Sequence, residues 1–173
     1  NTFIMPQSDV TATAKWVRQT NDKWVLVTED AQLVVGEKYV IACNTQGAVA
    51  GNINTSGSNP YMNKLDAAFS DDKQLIKALA PEAIVLTLGG TTDAWTFTNE
   101  SGKALGATAA KKMAWGSGTT TWLLTFDANG ALTMKNATDA NGSLQYNSNN
   151  PRFTTYASGQ KDIQLYVLNP AQV

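Results

Sequence analysis

Short runs of alternating hydrophobic and polar residues are the dominant pattern in this chain. The cleanest is DIQLYVL, Asp162–Leu168, with Ile163, Leu165 and Val167 on one face and Gln164, Tyr166 and Leu168 on the other. Just before it, SLQYN and RFTTY alternate between turn-rich joints, so residues 142–168 predict three strands. The same layout echoes twice upstream.

Aligning the echoes gives three units of four strands. First strands fall at Tyr39–Cys43, Trp95–Thr98 and Leu132–Lys135, with Tyr39, Ile41, Trp95, Phe97, Leu132 and Met134 inward. Gly-containing turns follow, and second strands centre on Val49, Leu105 and Leu144. Closing strands are AIVLTL, WLLTF and DIQLYVL, with Leu86, Leu124 and Leu165 in phase. Leu105 and Leu144 are 39 residues apart, Leu86 and Leu124 are 38 apart, but Val49 and Leu105 are 56 apart. The first unit therefore carries an insertion, assigned to GNINTSGSNPYMNKLDAAFSDD, whose Asn, Ser, Gly and Pro content predicts a surface loop. QLIKALA reads either as a helical turn capped by Ser70 or, by the same repeat logic, as the third strand of unit one, matching Lys112–Trp115 and Arg152–Tyr156; the strand is the expectation.

A unit of this kind cannot bury its own apolar face, and three around a pseudo-threefold axis can. The expected fold is all-β, a β-trefoil-like barrel of three four-strand units; an antiparallel β-sandwich is the alternative. The pattern resembles fascin-like and ricin-like trefoils, in which a G-K-x-L-like phrase opens the second strand; Gly102-Lys103-Ala104-Leu105 fits it. Ricin-type lectins also carry Q-x-W in each unit, and this chain has none. A sugar site of their kind is therefore not implied.

Ahead of the repeat, Trp24–Thr28 reads as a strand, and Gly36-Glu37 turns the chain into the next. The opening NTFIMPQSDVTATAK resembles the last strand of Ig-like or β-grasp repeats strung along secreted bacterial surface proteins. The resemblance rests on Phe3, Met5, Pro6, Asp9, Val10, Thr11, Thr13 and Ala14. It implies that residues 1–20 are the tail of a preceding domain or a linker, and that 21–173 form the module. The chain opens at Asn1 without Met, and is read as an excised piece of something longer. From Trp24 onward, W-x-L-V-T, L-x-x-G-x-x-Y-V-I-A, L-x-Y-N-S-N-x-P-R-F-x-x-Y and I-x-L-Y look like accessory modules of large secreted proteins of gut Bacteroidetes and Firmicutes. That resemblance implies an extracellular or cell-surface location and carries no assigned activity.

Composition narrows the chemistry. A chain of 173 residues buries roughly 70% of its unfolded surface, so it needs no disulfide or metal to fold. Histidine is absent, which removes the commonest general base and zinc ligand. The single cysteine, Cys43, is in phase with Tyr39 and Ile41 and reads as a buried structural thiol. With 13 basic and 14 acidic residues there is no basic footprint for nucleic acid, and no run is long and apolar enough for membrane insertion. Asp-Ala-Asn-Gly occurs at 127–130 and 139–142; without a terminal bidentate Glu it predicts Asx-type turns with glycine at positive φ, not calcium loops. No G-x-S-x-G is present, and no enzyme, cofactor or metal is expected.

The aromatics remain. Trp24, Trp95 and Trp122 fall in core phase. Trp115, expected at a hairpin tip flanked by Lys111 and Lys112, and Tyr61, in the inserted loop, are candidate platforms for a sugar ring. Lys112 and Arg152 complete the candidate ligand-binding set, with a structural role the other reading of Arg152. The expected function is non-catalytic binding of glycan or polysaccharide, beside neighbouring domains of the same chain; a spacer or protein-interaction domain is the alternative.

Overall fold

Fourteen strands form among the described residues, 22–169, of this computed structural model. The segment read as the tail of a preceding domain lies outside them. Numbered along the chain, first strands of the three units are β2 (Lys38–Cys43), β7 (Ala94–Thr98) and β11 (Leu132–Asn136). Second strands are β3 (Ala48–Asn54), β8 (Leu105–Ala109) and β12 (Ser143–Asn147). Third strands are β4 (Tyr61–Phe69), β9 (Lys112–Trp115) and β13 (Arg152–Tyr156). Fourth strands are β6 (Leu86–Thr91), β10 (Trp122–Phe126) and β14 (Gln164–Leu168). Two strands stand outside this scheme, β1 (Trp24–Leu26) and β5 (Leu75–Leu79).

First and fourth strands build a six-strand barrel. Pairing runs β14–β2–β6–β7–β10–β11, all antiparallel, and a single bridge between Leu132 and Ile163 joins β11 to β14. Closure removes the free edges that an open sheet would expose. The hairpins β3–β4, β8–β9 and β12–β13 meet at one end of this barrel. Phe153 stands opposite Met62 across β13 and β4, the Met113 amide donates to the Pro60 carbonyl at 2.8 Å, and that of Lys111 donates to Thr155 at 3.1 Å. Met62, Met113 and Phe153 are all buried in the main core, one from each unit, and plug that end. This is the threefold arrangement expected from the repeat spacing.

The inward set behaves as the alternation requires: Tyr39, Ile41, Trp95, Phe97, Leu132 and Met134 all belong to one core cluster. What the repeat does not anticipate is a second layer. The outward face of β2 and β14, with Val40, Ala42 and Tyr166, is buried against Trp24, Leu26 and Ile76. Strands β1 and β5 supply that cover, β1 pairing with both β14 and β5.

Two expectations for unit one are corrected here. Residues 61–69 are not part of a surface loop but the third strand itself, because Met62 takes the core position of Met113 and Phe153. QLIKALA does form a strand, but as an added one that pairs with β4 and turns Ile76 toward the second layer. Loop chemistry is left to two turns: between β3 and β4, where Asn54 Oδ1 accepts from the Ser56 amide at 2.9 Å, and between β4 and β5, where Asp72 Oδ1 accepts from the Gln74 amide at 3.0 Å.

Both Asp-Ala-Asn-Gly phrases are turns. Asp127 Oδ1 accepts from the amides of Asn129 (2.8 Å) and Ala131 (2.9 Å), with Gly130 at φ +81. The second forms one turn of 3-10 helix, Asp139–Asn141, ending at Gly142 with φ +82; a Cβ there would meet the Tyr156 carbonyl at 2.4 Å.

Candidate functional site

Tyr61, Lys112 and Arg152 turn out to be one position repeated three times. Each opens the third strand of its unit and directly precedes a buried residue, Met62, Met113 or Phe153. Strand alternation therefore sends all three away from the core. Pairing of β13 with β4, Arg152 opposite Asn63, brings two of them together. The Arg152 guanidinium lies over the Tyr61 ring at 3.8 Å, its Nε donates to the Asn150 carbonyl at 3.2 Å, and Asn54 Nδ2 donates to the Tyr61 hydroxyl at 3.3 Å. A second such group sits between units two and three. Lys111 Nζ is 5.6 Å from the centre of the Tyr156 ring, and Asn147 Nδ2 donates to the Tyr156 hydroxyl at 3.0 Å.

Trp115 is elsewhere. The tip of its hairpin is Ala110–Lys111, with Lys111 in the left-handed region at φ +63, while Trp115 pairs with Leu105 at the far end of β9. The expected flanking of Trp115 by lysines does not occur, because Lys112 is three residues back along a strand, roughly 10 Å, and on the opposite face. The indole packs against the core and remains partly exposed, with Nε1 donating to Asn52 Oδ1 on β3 at 2.9 Å.

Asn52 is also a wall of a groove of about 300 Å³ between units one and two, shared with Pro81–Val85 and Asn99–Ser101. The Asn52 carbonyl oxygen is taken by Trp115 and by the Ile53 amide (2.8 Å), which leaves its Nδ2 protons for solvent or a ligand. Asn99 Oδ1 is likewise committed to the Lys103 amide at 3.0 Å. Glu82 and Glu100 add carboxylate acceptors. Trp115 is not part of this lining and reaches the groove through its bond to Asn52; amide donors and carboxylate acceptors are groups that read sugar hydroxyls. Two further grooves, about 300 and 270 Å³, adjoin on unit three and share Leu132, Thr133 and Asp162; none of the three grooves is lined by one of the four candidates.

Asn52, Asn54, Asn147 and Tyr156 were missed as site residues by the sequence reading, and Lys111 was named only as a flank of Trp115. Their signal, asparagines at strand ends beside aromatics, is visible only once the units are aligned. Cys43 is fully buried, and burial pushes its thiol up, away from the reactive thiolate. Among the described residues, no three His, Cys, Asp or Glu side chains gather into a set that could hold a metal.

The fold has a counterpart among solved structures. The BEL β-trefoil, in an apo crystal form, aligns over 80% of this chain and 95% of its own at a TM-score of 0.52 and 14% identity. The fold is a β-trefoil. At that identity the likeness is one of fold alone. The lysenin pore structure aligns over 97% of this chain and 57% of its own, with 9% identity and a TM-score of 0.49, too loose to bear on the trefoil. No protein-family model and no curated protein sequence matches the chain. Among the described residues, no helix is long and apolar enough to cross a membrane.

Proposed function

We propose that this chain is a non-catalytic binding module of a secreted multidomain bacterial protein, taking glycan or another surface polymer at the Trp115–Asn52 groove. The observation that carries the reading is the partly exposed indole, bonded to Asn52, which lines a groove with amide donors and carboxylate acceptors. Indoles offer sugars an apolar face, and fixed amides sort their hydroxyls. The test is a glycan array or affinity gel run beside thermal melts of Asn52→Ala and Trp115→Ala. Asn52→Ala should weaken binding with little loss of stability; Trp115→Ala should do so at a cost of about 1–3 kcal/mol, since the ring also packs on the core. Variants that stay folded and bind as before would remove the groove from consideration.

One set of observations favours a spacer or protein-interaction domain instead. The polar atoms of the aromatic candidates are already engaged internally, Trp115 by Asn52 and Tyr61 by Asn54, as a structural role requires. Flat results across plant, host and microbial glycans would select that reading. In either case residues 1–20 are proposed as the tail of a preceding domain. Deleting 1–15 should then leave the melting temperature nearly unchanged, and a drop of many degrees would make the segment part of this module.

A further inference from the structure

The chain carries 14 acidic residues, and not one falls in 48–63, 105–115 or 143–156. Those three stretches are the second-to-third-strand hairpins up to the first residues of β4, and they meet at one end of the barrel. The same stretches hold Lys111, Lys112 and Arg152. Lys64 lies just beyond and is neutralised by Asp66. An otherwise near-neutral molecule, with a formal net charge of −1, thus gathers three further cations on hairpins whose one acid, Asp66, is already paired with Lys64.

These cations are positioned, not merely present. Arg152 is held on Tyr61 and tied back to Asn150; the Lys111 amide donates to both the carbonyl (3.1 Å) and the hydroxyl (2.9 Å) of Thr155, fixing the turn that aims its side chain over Tyr156. Around them two of the three hairpin turns, 55–60 and 148–151, are rich in asparagine and serine, uncharged groups that bond hydroxyls without repelling anions.

We infer that this hairpin end is a second binding surface, distinct from the Trp115 groove, and that it takes an anionic polysaccharide. Guanidinium matches sulfate or carboxylate through paired N–H donors, and lysines add point charge. The polysaccharide is favoured over single-stranded nucleic acid because bases need open aromatic faces to stack on. Here Arg152 covers Tyr61, and Tyr156 is 9% exposed.

The test is retention of the whole chain on immobilised heparin (sulfated), polygalacturonate (carboxylated) and dextran (neutral), with poly(dT) as competitor, at low and moderate salt. Expected is salt-sensitive retention on heparin, polygalacturonate or both, weakened about tenfold or more in Lys111→Gln/Lys112→Gln/Arg152→Gln. If that variant melts early, Lys112→Glu carries the test and should weaken retention at least about threefold. Failure to bind either polyanion, equal retention of the variants, or stronger binding of poly(dT) than of heparin would overturn the inference. Retention on dextran alone would also overturn it while leaving the groove reading intact.

Discussion

Asn44 Nδ2 donates to the hydroxyl of Tyr166 at 3.0 Å, and that hydroxyl passes its own proton to the Lys73 carbonyl at 2.7 Å. The ring belongs to the second layer and tilts against Phe69, with centroids 5.5 Å apart. One phenol thus ties β14 to the turn after β2 and to the loop before β5. Tyr166→Phe keeps the ring but strands a buried amide proton and a carbonyl. The expected cost is about 1–3 kcal/mol in a denaturant melt; a change within a few tenths would mean that water replaces the hydroxyl at no cost.

The same residue sets an alkaline limit. Burial pushes the Tyr166 phenol up to about 12, although the bond from Asn44 pulls the other way. An unfolded tyrosine ionises near roughly 10. The folded state therefore holds this proton more tightly, so its contribution to stability is complete below about pH 10 and is lost as pH rises toward 12. Burial raises Tyr39 and Tyr146 as well, in the same direction. Urea midpoints should fall over that window, less steeply in Tyr166→Phe. A flat profile to pH 12 would contradict the assignment.

Leu124 and Thr125 are neighbours on β10 with opposite fates, the first buried in the main core and the second exposed. Leu124→Ala should cost about 2–5 kcal/mol. Thr125→Ala should cost less than about 1 kcal/mol. Comparable losses would break the strand phase on which the repeat alignment stands.

Asn136 is fully buried at the end of β11 and joins two units. Its Nδ2 donates to the Thr119 carbonyl at 2.9 Å, and its Oδ1 accepts from the Thr138 amide (3.1 Å) and from Asn141 Nδ2 (2.9 Å), which also reaches the Ala107 carbonyl at 3.0 Å. Asn136→Ala should destabilise by about 2–4 kcal/mol, because several buried partners lose their bonds together. Asn136→Asp should recover little, since it replaces the donor with a buried charge. Hydrogen exchange of the Thr138 amide reads the local effect directly.

Barrel strands were legible because their inward residues are large, apolar and strictly alternate, as in Trp95–Phe97 and Leu132–Met134. The third strand of unit one was not. In Tyr61–Phe69 only Met62 is fully buried, so its period is faint, whereas Leu75–Leu79 was given the third-strand place by spacing although Ile76 faces a layer outside the barrel. A two-residue period reveals a covered face but not what covers it. Of the site, Tyr61, Lys112 and Arg152 could be named from residue type. Their equivalence, and the stacking of Arg152 on Tyr61, depend on pairing between β4 and β13, strands far apart in the chain. Trp115 was misplaced because a lysine pair beside an aromatic looks like one surface, while a strand sends its residues to alternate faces.

The position of β14 has a kinetic consequence. This strand lies between β1 and β2 and supplies the bridge that closes the ring at Leu132. It is also the last of the fourteen to leave the ribosome. Until it emerges, β1 has only β5 to pair with, and the seam beside β11 stays open. Units one and two can therefore collapse during synthesis, but the barrel cannot shut until translation has passed Leu168. Folding must then proceed through long-range pairing, which is slow. In the interval the exposed strand edges need shielding from other chains.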